Sequence, residues 1–449
     1  MYNQLDTTTT IVAPATATGG AVMVIRISGK EAISIADKMF RGKQPLREAK
    51  GYTLHYGTIV NGHEESIDDV VVALFRAPHS YTGDDTVEIT IHGSEYITAE
   101  LIRLAIENGA TMAMPGEFTR RAFLAGKMDL CRAEAVADII AADSQWSHNV
   151  ASTQMRGGYS EKLAHLRGEL LRLCSLLELE LDFSEEDVEF ADRTTLLNTL
   201  NDIGTQIDSL TQSFALGNVL KNGVSVAIIG EPNVGKSTLL NALIEEDRAI
   251  VSDIAGTTRD TIEATTTIDG VRYRFIDTAG IRSTEDRLEQ LGIDRSCRAM
   301  ENANIILHIV SAENPVFTPI TTSNTQHYIR VINKIDTLTS SKNLDAKAIQ
   351  ISAKRGFGID TLRTEIRKTT DTAQLTSGSI VVSNMRHYAA LKSASEALAD
   401  ARRGMCSNIP SDLLSEDIRR ILHHLGEITG EITTTDILQT IFSQFCIGK

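Results

Sequence analysis

The stretch from Val224 to Ser237, VSVAIIGEPNVGKS, constrains the fold more than any other. Val224, Val226, Ile228 and Ile229 form a short apolar run that reads as a buried strand. It leads into Gly230-Glu231-Pro232-Asn233-Val234-Gly235-Lys236-Ser237, the spacing of a P-loop. Thr238-Leu239-Leu240-Asn241-Ala242-Leu243 then opens a helix. In that order, the backbone N–H groups of the turn and the helix N-terminus can surround a phosphate chain. Lys236 would neutralise charge on the outer phosphates, and Ser237 would ligate magnesium.

Four further elements follow the loop in sequence. Gly256-Thr257-Thr258-Arg259-Asp260 sits where a switch segment belongs, and a threonine there can close on magnesium when a third phosphate is present. Asp277-Thr278-Ala279-Gly280 follows a strand; its Asp can hold magnesium through water, and the Gly280 N–H can meet the terminal phosphate. Asn333-Lys334-Ile335-Asp336 follows another strand, and an Asp there can accept two hydrogens from the N1 and N2 edge of guanine. Adenine lacks that donor pair, so the nucleotide is GTP. Ser352-Ala353-Lys354 would meet the base from its other side. The residue after Gly280 is Ile281, where Ras-like enzymes carry a water-orienting glutamine. Isoleucine cannot orient water, so another group must act; Glu285 and Glu289 lie just downstream. A monovalent cation is a second compensation, and Asn233 is placed to offer it an oxygen.

The 449 residues suggest about three domains. The net charge of −15 argues against broad nonspecific nucleic-acid binding, though not against a local basic patch such as Arg120, Arg121, Lys127 and Arg132. The five cysteines, Cys131, Cys174, Cys297, Cys406 and Cys446, form no Cys-x-x-Cys pair, which points to a reducing cytosol. The sequence shows no targeting segment and no apolar run long enough to span a bilayer. Residues 1–118 read as mixed α/β, with strands at 21–27, 69–75 and 87–91, a helix at 97–108, and a turn-rich loop at 13–20. From Pro115 the chain turns helical. One leucine stripe is Leu163, Leu166, Leu170, Leu173 and Leu177; a second is Leu196, Leu200, Ile203, Ile207, Leu210 and Phe214. Residues 222–375 alternate strands and helices, implying a mostly parallel sheet with ligand loops at strand C-termini. Residues 383–449 return to helix, with faces at Tyr388, Leu391, Ala394 and Leu398 and at Leu414, Ile418, Ile421, Leu425 and Ile428. The expected architecture is one helical domain with the nucleotide domain inserted in it; two independent helical domains are the alternative.

Three further segments complete the pattern. They are Pro115-Gly116-Glu117-Phe118-Thr119-Arg120-Arg121-Ala122-Phe123-Leu124, Leu425-Gly426-Glu427-Ile428-Thr429-Gly430-Glu431, and the terminal Ile441-Phe442-Ser443-Gln444-Phe445-Cys446-Ile447-Gly448-Lys449. With the nucleotide motifs they resemble the MnmE (TrmE) family of tRNA uridine-modification GTPases over essentially the whole chain. The resemblance implies a multidomain α/β and all-α protein. Residues 1–118 would be a tetrahydrofolate-binding-like, dimerising α/β domain, 119–218 and 377–449 a discontinuous helical domain, and 219–376 a P-loop, Ras-like G domain. It implies a cytoplasmic homodimer without a membrane segment, acting with the FAD-dependent partner MnmG (GidA). Together they would install an aminomethyl or carboxymethylaminomethyl group on C5 of the wobble uridine of certain tRNAs. A tetrahydrofolate derivative (5-formyl or 5,10-methylene) would supply the one-carbon unit, and potassium would stimulate GTP hydrolysis.

By the same resemblance, Asn233, Ser252, Ile254 and Thr257 match potassium-binding positions, and Ser237 and Thr258 match magnesium ligands. Glu289 matches the water-organising glutamate and is preferred to Glu285. Arg26, Glu88, Lys127 and Lys449 match folate contacts, and Cys446 matches the tail cysteine of the modification chemistry. The nucleotide set is Asn233 to Thr238, Ser252, Ile254, Gly256 to Thr258, Asp277 to Gly280, Asn333, Lys334, Asp336 and Ser352 to Lys354, with Lys236 also catalytic. The chain departs from the family in three places. Ala15-Thr16-Ala17-Thr18-Gly19-Gly20 stands for a Pro/Gly-rich segment, His92-Gly93-Ser94 for His-Gly-Gly, and Ser252 for a frequent threonine that also offers oxygens. The alternative reading is a regulatory or ribosome-assembly GTPase whose first domain only dimerises.

Overall fold

Alternating apolar residues lay down the first sheet. The structure, a computed structural model, describes residues 8–182, 193–245, 264–276, 300–301, 303–323, 326–338, 345–369, 380–407, 409–443 and 445–449. The chain divides into two compact units, residues 1–140 with 154–204 and 390–449, and residues 141–153 with 205–389.

In the first unit, strands β1 (Ile11–Pro14), β2 (Val22–Ser28), β3 (Phe40–Gly42), β4 (Thr53–Val60), β5 (Ser66–Phe75), β6 (Thr86–His92) and β7 (Thr111–Met112) form a seven-stranded sheet, ordered β3-β4-β5-β6-β2-β1-β7. Neighbours run antiparallel except the parallel pair β1 and β7. Met23, Ile25 and Ile27 of β2, Val70, Val72 and Leu74 of β5, and Val87, Ile89 and Ile91 of β6 point to one face. That core also includes residues of helices α1 (Ala32–Met39) and α2 (Glu95–Glu107), such as Ile35 and Leu101. Ser94 caps α2 by accepting from the Ile97 N–H. Period two therefore sends Val24, Arg26 and Glu88 to the opposite face, where Arg26 and Glu88 are cross-strand partners.

The helical region begins with α3 (Glu117–Leu124), α4 (Leu130–Ala141), α5 (Gln145–Met155), α6 (Gly158–Asp182) and α7 (Arg193–Gln212). The leucine stripe Leu163, Leu166, Leu170, Leu173 and Leu177 is buried along α6, and Leu196, Leu200, Ile203, Ile207 and Leu210 along α7. A long helix owes most of its stability to such a face.

In the second unit, α8 (Phe214–Asn222) leads into β8 (Val224–Ile229), followed by α9 (Lys236–Glu245), β9 (Ala264–Ile268), β10 (Val271–Phe275), β11 (Ile305–Ser311), β12 (His327–Asn333), β13 (Ile349–Gln350) and α10 (Ile359–Lys368). The six strands are ordered β13-β12-β11-β8-β10-β9. Only the hairpin β9–β10 is antiparallel. The hydrophobic runs of β8 and β11 are buried nearly throughout, as strands covered on both faces require. The chain enters and leaves this unit at adjacent points. The Val382 N–H donates to Ser213 Oγ at 3.0 Å, and the Phe214 and Tyr388 rings stack with centroids 4.5 Å apart.

Three helices close the chain: α11 (Met385–Cys406), α12 (Ser411–Thr429) and α13 (Thr435–Ser443). In the first unit α12 packs on α6 through Leu414, Ile418, Ile421, Leu425 and Ile428. Arg167 of α6 donates to the Leu422 carbonyl at 2.6 Å and pairs with Glu431. The multidomain fold class expected from sequence is thus present, with segments from either side of the nucleotide unit sharing one core. No helix among the described residues is long and apolar enough to cross a membrane.

Candidate functional site

The turn Gly230 to Gly235 joins the end of β8 to the start of α9 at Lys236. Asn233 and Gly235 take positive φ, 65° and 98°, the left-handed turns by which successive backbone N–H groups can be aimed at one anion. Gly235 must lack a Cβ, because one would overlap Asn333 Nδ2. Lys236 Nζ donates to the carbonyls of Gly230 and Glu231 at 2.7 and 2.9 Å, within the loop itself. Burial pushes its ammonium below the usual lysine range, so an anion that restored charge compensation would be favoured there. Ser237 and Thr238 follow on the first turn of α9.

The segments expected to read the base are assembled around this loop. Asn333, buried at the end of β12, donates through Nδ2 to the Val234 carbonyl at 2.9 Å and accepts at Oδ1 from the Ala353 N–H at 2.9 Å. One side chain therefore ties the P-loop to the segment after β13. Lys334 takes a left-handed φ of 62° and starts the short turn Ile335–Thr337. Asp336 accepts from Ser352 Oγ at 2.6 Å, and that hydroxyl holds its carboxyl below the usual carboxylate range. Lys354 is exposed beside them. The structure brings together Val234, Gly235, Asn333, Asp336, Ser352 and Ala353 of the expected set. Ser252, Ile254, Gly256, Thr257, Thr258, Asp277, Thr278, Ala279, Gly280, Ile281, Glu285 and Glu289 lie outside the described residues.

A second cluster lies in the first unit. Arg26 of β2 donates through Nε to Glu88 Oε1 at 2.8 Å, and through Nη1 to the Gly448 carbonyl at 3.1 Å. Its guanidinium lies 5.6 Å from the Tyr81 ring centre and 5.4 Å from that of Phe118, within cation–π range. Burial pushes the Tyr81 phenol above its usual value, although Tyr81 also bonds Thr119 Oγ1 at 2.9 Å. Lys127 Nζ instead donates to the Pro78 carbonyl at 2.6 Å, and the Lys449 N–H donates to the Cys446 carbonyl at 3.4 Å. The Cys446 side chain is exposed. Tyr81, Phe118 and the Gly448 carbonyl were not among the expected residues. Phe118 lay inside a quoted motif, but no local signal marks a ring 92 residues distant from Arg26 as its neighbour.

Two family descriptions match the chain: "MnmE helical domain" over residues 130–446 and "GTP-binding protein TrmE N-terminus" over residues 10–127. Similar proteins include the tRNA modification GTPase MnmE of Bacteroides fragilis, 48% identical over 98% of this chain and 99% of its own length. That of Flavobacterium johnsoniae is 46% identical, again over 98% and 99%. Among solved structures, Era in complex with MgGDPNP and nucleotides 1506-1542 of 16S ribosomal RNA is 28% identical with a TM-score of 0.26, covering 39% of this chain and 66% of that one. The G domain of the T. maritima FeoB iron transporter is 21% identical with a TM-score of 0.24, covering 33% of this chain and 99% of that one.

Proposed function

The chain belongs to the TrmE/MnmE family of tRNA modification GTPases, and on that premise we propose that it is a potassium-stimulated GTPase that acts with an FAD-dependent partner of the MnmG (GidA) kind to add an aminomethyl or carboxymethylaminomethyl group to C5 of the wobble uridine of certain tRNAs. The observation that carries this is identity of 45–48% to MnmE proteins over 98% of the chain.

In this reading the N–H groups of the P-loop and the start of α9 hold the phosphates, with Lys236 on the outer ones. Ser237 and Thr258 ligate magnesium, whose charge offsets the phosphate oxygens. Asn233, Ser252, Ile254 and Thr257 offer oxygens to potassium, which adds positive charge where negative charge develops. Asp336 accepts from guanine, steadied by Ser352. Glu289 orients the attacking water in place of the missing glutamine. Asp277 to Gly280 and Gly256 sense the terminal phosphate. The donor chemistry of the cluster around Arg26 suits a folate: a carboxylate such as Glu88 can accept two hydrogens from an amino-pyrimidinone edge, and Tyr81 and Phe118 offer aromatic walls. Arg26, Lys127 and Lys449 supply cations for its acidic tail. We retain residues 1–118, 119–218, 219–376 and 377–449 as the domain segments, and place the protein in the cytoplasm as a homodimer.

The deciding experiment is nucleoside analysis of tRNA incubated with this protein, its flavoprotein partner, GTP, FAD and a folate donor. Modified uridine is expected, and should vanish in Cys446→Ser while GTP hydrolysis continues. Unmodified uridine with the complete mixture rejects the reading in favour of a regulatory GTPase. Turnover measured in potassium and in sodium at equal ionic strength tests the cation: a potassium rate at least tenfold higher is expected, and equal rates reject it. Glu289→Ala should lower turnover by about 10²-fold, the scale of a lost proton-transfer or orienting group, with GTP affinity unchanged.

A further inference from the structure

The last four residues lie against the N-terminal sheet through backbone contacts that the folate and cysteine assignments do not explain. The Gly116 N–H donates to the Cys446 carbonyl at 3.4 Å, and the Lys449 N–H closes on the same oxygen at 3.4 Å. Two residues on, the Gly448 carbonyl accepts from Arg26 Nη1 at 3.1 Å. Gly448 is buried with φ at +97°, and a Cβ there would overlap the Pro14 carbonyl oxygen at the end of β1. Upstream, Phe445 is buried against Phe442, with ring centres 5.4 Å apart. Ile447, between the held residues, is 49% exposed.

Each contact has a partner held by further interactions of its own. Pro14 belongs to a strand paired on both sides. Arg26 is fixed by Glu88 across the strand pair and by the two aromatic rings. Gly116 sits at the start of α3, where its own Cβ would overlap the Phe442 carbonyl. A tail of ordinary sequence could not lie this flat, because any side chain at 448 collides with backbone and strains a left-handed φ.

We propose that Gly448 is a positioning residue: by packing its bare Cα on Pro14 and its carbonyl on Arg26, it latches the C-terminal tail onto the N-terminal sheet and fixes where Cys446 is presented for uridine modification. Arg26 thereby serves the tail as well as any ligand held beside Glu88. The proposal rests on the function argued above for the role of Cys446, but the latch itself does not.

The test is Gly448→Ala in the full-length protein, with Ile447→Ala as the matched control. Tail docking is read by carboxypeptidase B release of Lys449, followed by intact mass. Release at least tenfold faster in Gly448→Ala, with Ile447→Ala like wild type, is expected. In the reconstituted reaction, kcat for tRNA modification should fall at least tenfold in Gly448→Ala, with KM for tRNA and GTP turnover within twofold of wild type. Release of Lys449 at the wild-type rate overturns the latch. Faster release with modification unchanged overturns the positioning role. If wild type itself modifies no tRNA, the functional reading fails, and the Lys449 release rates alone decide the latch.

Discussion

At the scale of single residues, the proposed nucleotide site rests on two side chains that never need to touch phosphate. Asn333 satisfies one backbone carbonyl of the P-loop and one N–H after β13. Asn333→Ala leaves both groups buried and unpaired, a loss of about 2 kcal/mol. Nucleotide affinity should fall by about 30-fold, since each 1.4 kcal/mol is a factor of ten; titration with a fluorescent GDP analogue measures it. Ser352 acts on Asp336 electrostatically. Its hydroxyl favours the charged carboxylate, so the folded-state value lies below the unfolded one. A depressed carboxyl contributes its stabilisation above the unfolded value and loses it as pH falls through the folded value. Ser352→Ala removes the largest cause of that depression, so the acid limb of guanine-nucleotide binding should move to higher pH. An unmoved limb in binding titrations down the acid range would show that Ser352 does not tune Asp336.

At the scale of elements, the hairpin β9–β10 lies in sequence between the two segments expected to sense the terminal phosphate. Its turn, Asp269–Gly270, has positive φ at both residues, 49° and 78°. The turn meets the start of α5: Trp146 N–H faces the Gly270 carbonyl at 3.5 Å, and Arg272 of β10 pairs with Asp143. Trp146 is the sole tryptophan of the chain and packs on the core of this unit. Intrinsic fluorescence therefore reports on one hairpin turn. Gly270→Ala forces a Cβ toward Gln145 and Trp146 at a left-handed φ, costing about 1 kcal/mol. The emission of Trp146 should shift to longer wavelength as the ring gains water; an unchanged spectrum would place the ring away from the turn.

The same elements show what could be read in advance. Every strand with a continuous apolar run or clean alternation, from β8 to β12, was legible because burial on a sheet imposes those periods. The P-loop and the Asn333 to Asp336 element were legible because their chemistry lies within a few consecutive residues. Strand β4 and helix α1 carry no such local signal. Thr53-Leu54-His55-Tyr56-Gly57 mixes polar and apolar residues, because Leu54 and Tyr56 are exposed and the partner strand β5 supplies the pairing. Strand β1 is four residues long, and its last two residues fall in the turn-rich stretch 13–20 before β2. The aromatic walls around Arg26 and the tail contact at Gly448 depend on pairings between distant segments, which no local pattern records.

At the scale of the whole molecule, the insertion rests on a specific geometry. The Val382 N–H meets Ser213 Oγ at 3.0 Å, so 168 residues depart and return through one narrow junction. Meanwhile α6 and α12, from opposite sides of that departure, bury a common stripe and are clasped by Arg167. The first unit therefore draws its stability from segments that the insertion does not hold together. Excising residues 214–381 and joining Ser213 to Val382 through a few glycines replaces a long excursion by a short loop, whose closure entropy is smaller. The shortened chain should keep the α6–α12 pair, with cooperative urea unfolding followed by far-UV circular dichroism. Adding Arg167→Ala to it should lower the unfolding free energy by about 2 kcal/mol, the value of a charged donor on a buried carbonyl. A shortened chain that unfolds without cooperativity would mean that the nucleotide unit is a structural support for the helices and not only an insertion between them.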